Sequence, residues 1–293
     1  MNDLRFEFAD SLESAARLIA AEPGEVRVLA GGTDVLVQLH ADMIEPDLIV
    51  DIKRIPELRA VSEGDDGWRV GAAVSGLELM DNAKFCAAWP GVMDGVRLIG
   101  SVQIRGRASI GGNVCNASPA ADSVPPMIAA GAIATVFGPD GPREVAVQDI
   151  GIGPGKTSLK KGEIVVSFFL PKRPARSGDA YQRFTPRTEM DIAVVGVGVN
   201  LTLHDTGVCS TARVAVGAVA ERALLVDEAA DALIGSSIDE AALEQLVSAV
   251  RSACRPIDDK RGTKEFRIKV AGVLAERVAR IAYRRAQEAG GAG

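Results

Sequence analysis

The chain has 293 residues, 47% hydrophobic and 25% charged, with a formal net charge of −6 at pH 7. A chain this long buries a sizeable core without disulfide or metal staples, and its acidic balance argues against gripping a nucleic-acid phosphate backbone. Aromatic residues make up only 4% against 31 glycines, which excludes stacking platforms for single-stranded nucleic acid.

The first residues are acidic early and hold no apolar run, so no signal peptide is expected. Asp10 opens a D-S-L-E capping pattern with Glu13, and Leu12, Ala15, Ala16 and Ile19 follow at helical spacing. Residues 26–30 read as a strand that runs straight into Gly31-Gly32-Thr33-Asp34, with a helical turn over 35–39 and a buried strand over 48–52. This is an α/β beginning. A strand over 68–73, a helix over 77–85 opened by Ser75 and a helix over 94–107 come next. A second small-residue segment, Ala108-Ser109-Ile110-Gly111-Gly112-Asn113, follows directly. Residues 128–132 end a helix, 134–137 begin a strand, and 163–170 form a clear strand closed by Pro171.

Prolines, a glycine and mixed charge over 171–180 predict a domain boundary there. Two strand-like runs, 192–203 and 208–219, then flank the turn H-D-T-G and predict a hairpin, with His204 as a turn residue. Ser237 and Glu240 suggest a capping box before a helical stripe of Leu243, Leu246, Val247 and Val250. The longest helical pattern covers 263–288, with Phe266, Val270, Val273, Leu274, Val278 and Ile281 on one face. The terminal G-G-A-G is expected to fray. The longest apolar runs, 128–137 and 192–201, reach about half of the roughly 20 residues of a membrane span.

Cys86, Cys115, Cys209 and Cys254 form no CxxC pair, which argues against zinc or iron–sulfur ligation within the chain. Their scatter fits free thiols in a reducing, cytoplasmic setting. Only two histidines are present, so triad chemistry has few candidates and no metal site is predicted. The chemistry-bearing features are the two double-glycine loops. Glycine allows close backbone approach, and successive free N–H groups can face phosphate oxygens. Neither loop fits the Rossmann or P-loop spacing, and alone each is more often a tight turn. Arg105 and Arg107 precede the second loop and could neutralise a diphosphate; Asp122 follows it and could accept from ribose hydroxyls, as acidic residues do in dinucleotide sites.

At these residues a family resemblance emerges. A-G-G-T-D-V-L (30–36) and A-S-I-G-G-N-V-C-N-A-S-P-A-A-D-S-V-P-P-M (108–127) resemble the FAD-binding medium subunits of molybdenum hydroxylases, the group of xanthine and carbon monoxide dehydrogenases. Segments 181–199, 214–223 and 258–274 resemble the same family's C-terminal domain in the same order. The resemblance implies an α+β chain. An FAD-binding fold of the p-cresol methylhydroxylase type (residues 1–175, two α/β subdomains split near 55–60) would precede a C-terminal α+β domain (176–293), a sheet covered by helices. It implies that Val28, Leu29, Ala30, Gly31, Gly32, Thr33, Asp34 and Val35, with Ser109, Ile110, Gly111, Gly112 and Asn113, hold the FAD diphosphate non-covalently. Asp122 would bind a ribitol or ribose hydroxyl. Ile99 and Val165 would line the cofactor, and Arg183, at a position often lysine, would lie near the flavin. The implied partners are a small 2Fe–2S subunit and a large molybdopterin subunit, as a dimer of heterotrimers. Electrons would pass from the iron–sulfur clusters through FAD to NAD, a quinone or oxygen. A free-standing FAD reductase or oxidase of the same fold is the rival reading.

Overall fold

The computed structural model describes residues 4–188 and 190–290; the last three residues of the tail expected to fray lie outside them. Strands β1 (Arg5–Phe8), β2 (Val26–Leu29) and β3 (Leu48–Asp51) form a parallel sheet in the order β1-β3-β2, with helices α1 (Leu12–Ala21) and α2 (Val35–His40) in the connections. The α1 cap is Ser11, not Asp10. Ser11 Oγ accepts from the Ser14 N–H at 3.1 Å, and Ser14 Oγ accepts from the Ser11 N–H at 3.3 Å. Ser14 therefore closes the box, and Glu13 falls outside it.

The second sheet is antiparallel, in the order β4-β5-β10-β6-β7. Strands β4 (Val61–Gly64) and β5 (Gly67–Gly71) are followed by six short helices: α3 (Gly76–Asp81), α4 (Ala83–Ala88), α5 (Pro90–Val96), α6 (Val102–Arg105), α7 (Ile110–Cys115) and α8 (Val124–Ala129). Then come β6 (Ile133–Gly138), β7 (Gly141–Ala146), the small pair β8 (Gly151–Gly153) and β9 (Lys156–Thr157), and β10 (Ile164–Pro171). Two helices that the pattern presents as continuous are broken. Over 77–85 the break is Asn82, which ends α3 and caps α4 by accepting from the Phe85 N–H at 3.0 Å. Over 94–107 the chain turns at Gly100, at φ +53°, and restarts at the Ser101 cap.

The third sheet is an antiparallel meander of β11 (Ser177–Phe184), β12 (Val195–Leu203), β13 (Cys209–Gly217) and β14 (Leu224–Leu225). Helices α9 (Asp227–Asp231), α10 (Glu240–Ala253) and α11 (Lys264–Gly290) follow. The α10 cap is Asp239, which accepts from the Ala242 N–H at 3.0 Å, so the Ser237 box does not form. Helix α11 buries Leu274, Val278 and a run of alanines, Ala271, Ala275, Ala279, Ala282 and Ala286, while Phe266 and Val273 of the expected stripe are exposed. The reason is contact distance. A Cβ on Gly178 would lie 2.1 Å from the Ala282 carbonyl oxygen, so helix and strand touch backbone to backbone and only small residues fit between them.

Alternation along V-G-V-G-V in β12 builds both faces of this sheet. Val195, Val197 and Val199 join the core shared with Leu274 and Val278 of α11. Gly196 and Gly198 face the preceding domain, where a Cβ on Gly198 would meet Pro125 and Pro126 of α8 at 3.0 Å. Charges lock the seam. Buried Asp179 accepts from the Gly91 and Val92 N–H groups at 2.8 and 3.3 Å and from Arg173 at 2.7 Å. Arg285 of α11 donates to Asp94 of α5 and to the Asp179 carbonyl, each at 2.7 Å. Among the described residues, no helix is long and apolar enough to cross a membrane.

Candidate cofactor site

The two double-glycine segments meet. A cleft of about 250 Å³ opens between the β2–α2 loop and the start of α7, with β10 contributing part of the wall. The β2–α2 loop turns at Gly32, whose φ of +80° suits glycine. Among the described residues, none of the backbone N–H groups of residues 31–35 has an acceptor, and all five of these residues line the cleft. These residues are half-buried or exposed, and the last of them open α2, where the first N–H groups have no intrahelical partner; a run of free N–H groups on one concave wall can serve as an anion cradle. Opposite them, Ser109 caps α7 by accepting from the Gly112 N–H at 3.1 Å.

The glycines divide into two kinds. A Cβ on Gly31 would sit 1.9 Å from the Arg107 carbonyl oxygen, and one on Gly111 would sit 2.4 Å from the Ala72 carbonyl oxygen. These two residues let segments of the protein touch one another, rather than making room for a ligand. A Cβ on Gly112 would meet only Ser109 Oγ, at 3.4 Å. Gly112 is thus the glycine of the second loop whose missing side chain leaves space in the cleft.

Val28, Ala30, Gly31, Gly32, Thr33, Asp34, Val35, Ile99, Ser109, Gly111, Gly112, Asn113 and Val165 all line the cleft. Leu29 and Ile110 do not; their side chains are buried in the core. Asp122 and Arg183 also lie off the wall. Asp122 Oδ1 accepts from the Tyr181 hydroxyl at 2.8 Å, and Oδ2 accepts from Arg183. Burial pushes the Asp122 carboxyl up to about 6, against the pull of the Arg183 charge and the Tyr181 hydrogen bond. A sugar hydroxyl would have to share a carboxylate already held by two donors. Arg105 is likewise committed: its guanidinium donates to the Ile99 and Gly100 carbonyls at 3.1 and 3.4 Å, which fixes the loop that brings Ile99 to the cleft.

Several wall residues were not foreseen. Gln38 and Asn116 lie one helical turn beyond Asp34 and Gly112, on the same sides of α2 and α7, and Gln38 Nε2 donates to Asn116 Oδ1 at 3.2 Å. That i,i+4 relation is the signal that could have found them. Thr157 and Leu159 arrive from a loop and carry no such signal. Glu163 also faces the cleft; two hydrogen bonds from Arg143, at 2.7 and 2.8 Å, hold its carboxyl below the usual range. Burial pushes the Cys115 thiol up to about 12, so it stays protonated and non-nucleophilic. Among the described residues, no His, Cys, Asp and Glu cluster could hold a metal ion.

Residues 2–173 match the model of the FAD binding domain in molybdopterin dehydrogenase, and residues 180–282 match that of the CO dehydrogenase flavoprotein C-terminal domain. The chain belongs to this family. It is an oxidoreductase flavoprotein subunit, an FAD-binding domain followed by a flavoprotein C-terminal domain. It is 32% identical to the xanthine dehydrogenase FAD-binding subunit of Escherichia coli O157:H7, over 93% of this chain and 95% of that one. It is 31% identical to the carbon monoxide dehydrogenase medium chain of Afipia carboxidovorans, over 94% and 96% of the two chains. Its fold superimposes on a chain of CO dehydrogenase from Oligotropha carboxidovorans with a TM-score of 0.92 at 30% identity, covering 97% of this chain and 98% of the other. For quinoline 2-oxidoreductase from Pseudomonas putida the TM-score is 0.88 at 26% identity, covering 98% of each chain. In this flavoprotein subunit the unpaired N–H run and the Gly112 opening fit an FAD diphosphate, because both offer neutral donors and space to an anion.

Proposed function

We propose that this chain is the electron-transfer subunit of a molybdenum hydroxylase and binds FAD through residues 31–35 and 109–113. The observation that carries the reading is the run of N–H groups at 31–35 without an acceptor among the described residues, in residues that line a cleft whose far side is the second glycine segment. When bound, FAD supplies one- and two-electron redox chemistry. The chain's own part is to hold it. The N–H run and the Ser109 and Thr33 hydroxyls bind the diphosphate, while Ile52, Ile99, Leu159, Ile164 and Val165 offer aliphatic walls to the flanking groups. Attachment is taken as non-covalent: no histidine or tyrosine is among the described residues that line the cleft, and burial pushes the Cys115 thiol there up to about 12.

The reading extends to partners. A small 2Fe–2S subunit delivers electrons drawn from a large molybdopterin subunit, in a dimer of heterotrimers, and NAD, a quinone or oxygen receives them. The domains divide near 175/176, within the segment before β11. The four free thiols support a reducing, cytoplasmic setting. The purified chain should be yellow or take up FAD with 1:1 stoichiometry, and acid precipitation should release the flavin. It should remain oxidised with the organic substrate of the complex alone and be reduced by that substrate only in the presence of its iron–sulfur and molybdenum partners. A chain that takes up no FAD refutes the cofactor assignment; rapid reduction of the isolated chain by the organic substrate, with no partner present, favours the free-standing reductase or oxidase.

A further inference from the structure

Asn113 stands on the cleft wall in α7, and one edge of its amide is already taken. The Ser123 backbone N–H donates to Asn113 Oδ1 at 3.3 Å, and the Ser123 hydroxyl donates to the same oxygen at 2.7 Å. A backbone N–H can only donate, so the atom facing it is the amide oxygen and the orientation of the amide follows. Nδ2 of Asn113 has no partner among the described residues, so the edge carrying two donors is the one left for the cleft. Ser123 cannot drift. It is fully buried, opens α8, and follows Asp122, which Tyr181 and Arg183 of β11 hold from the C-terminal domain.

We propose that Ser123 is a positioning residue for the cofactor: it fixes the Asn113 amide so that its N–H groups, and not its carbonyl, face the phosphate oxygens of FAD. This rests on the cleft being the FAD site, as proposed above. Without the Ser123 hydroxyl the shorter of the two bonds is gone and only the 3.3 Å backbone N–H still selects the oxygen; the amide is held more weakly, and the turned form presents an oxygen to an anion. The neutral donor adds to the backbone N–H run of residues 31–35 without placing a second full charge beside the diphosphate. It also ties cofactor affinity to the domain seam, because the Ser123 backbone is anchored through its neighbour Asp122.

The test is an FAD titration of the flavin-stripped full chain, with thermal unfolding of each apo variant as a folding control. Ser123→Ala should weaken FAD by about fivefold, the usual size of one lost hydrogen bond. The same change in an Asn113→Ala background should weaken it no further. Asn113→Asp keeps the acceptor for Ser123 and so preserves the loop, but turns an oxygen toward the phosphates; it should bind FAD more weakly than Asn113→Ala. Two results would overturn the proposal: an equal loss from Ser123→Ala in both backgrounds, which marks a merely structural role, or wild-type affinity in Asn113→Asp. A wild-type chain that takes up no FAD would remove the flavin reading and this inference together. Normal uptake by the wild type with no effect of Ser123→Ala would remove only this inference.

Discussion

Adjacent glycines at 111 and 112 should respond in opposite directions to the same substitution. Both lie in α7, where alanine is favoured over glycine by about 1 kcal/mol. At Gly112 nothing opposes that gain, since the new Cβ meets only Ser109 Oγ at 3.4 Å. The apo form of Gly112→Ala should therefore be more stable by about 0.5–1 kcal/mol, a rise in Tm of about 2 °C for a chain of this size. At Gly111 the Cβ lands 2.4 Å from the Ala72 carbonyl oxygen and 2.6 Å from Ala72 Cβ. The turn after β5 must separate from α7 there, at a cost of about 1–3 kcal/mol, the usual range for overpacking. FAD binding discriminates further. Gly112→Ala places a methyl in the cleft and should weaken FAD at least about tenfold, or roughly 1.4 kcal/mol. Thermal unfolding of the apo proteins reads the first effect and flavin fluorescence quenching reads the second. Equal destabilisation of the two variants would refute the packing argument. A stable Gly112→Ala that binds FAD normally would refute the placement of the diphosphate.

The seam and the buried carboxylates make further predictions. Asp179→Ala removes the acceptor for two α5 N–H groups and leaves Arg173 without its partner, so it should destabilise the chain by about 3–5 kcal/mol in chemical denaturation; a loss under 1 kcal/mol would contradict the seam. Gly178→Val should release α11 from β11, since even a Cβ lies 2.1 Å from Ala282 O, and native proteolysis should then cleave α11 faster than in the wild type. Stability should also depend on pH through Asp122, whose carboxyl is pushed up from 3.8 to about 6 by burial. Between those values the folded protein keeps a proton that the unfolded chain has lost. This contribution is full below about pH 4 and disappears as pH rises through about 6, and it amounts to about 3 kcal/mol at most. Urea melts of the apo protein on both sides of that window should show the fall, and Asp122→Asn should flatten it; the same slope in both proteins would refute the assignment.

Where local pattern and tertiary packing agree, the fold is legible in the sequence. The hairpin around H-D-T-G and the long C-terminal helix fall within a few residues of β12–β13 and α11. Where they disagree, packing wins. Of the expected stripe on α11, Leu274 and Val278 are buried and Val270 and Ile281 pack against the core, but Phe266 and Val273 are exposed, and alanines take the positions beside β11, where Gly178 brings strand and helix into backbone contact. The segment P-K-R-P-A-R-S-G reads as a linker, which hides the start of β11 at Ser177. With that strand unseen, the alternation of Asp179, Tyr181 and Arg183 goes unread, although these three residues supply the contacts to Asp94, Asp122 and α5 that join the domains. The helix breaks at Asn82 and Gly100 are likewise set by caps and a left-handed turn, which hydrophobic periodicity does not report.

The candidate site was legible as a place, but its internal division of labour was not. Each glycine pair alone is more often a tight turn; two of them in one domain, each with small polar neighbours, mark the place. The pairs say nothing about what each absent side chain would strike. Gly31 and Gly111 face backbone carbonyls of Arg107 and Ala72, contacts between segments far apart in sequence that no local pattern encodes. Asp122 carries the same lesson from the opposite side. An acidic residue shortly after a glycine loop suggests a sugar hydroxyl, but its partners, Tyr181 and Arg183, come from the next domain. In the proposed reading the ligand is held mostly by backbone N–H and one oriented amide, while Asp122, Arg183 and Arg105 brace the frame. Charge-reversing Asp122 or Arg183 should therefore disturb domain stability before cofactor affinity, whereas changes at Gly112 and Asn113 should do the reverse.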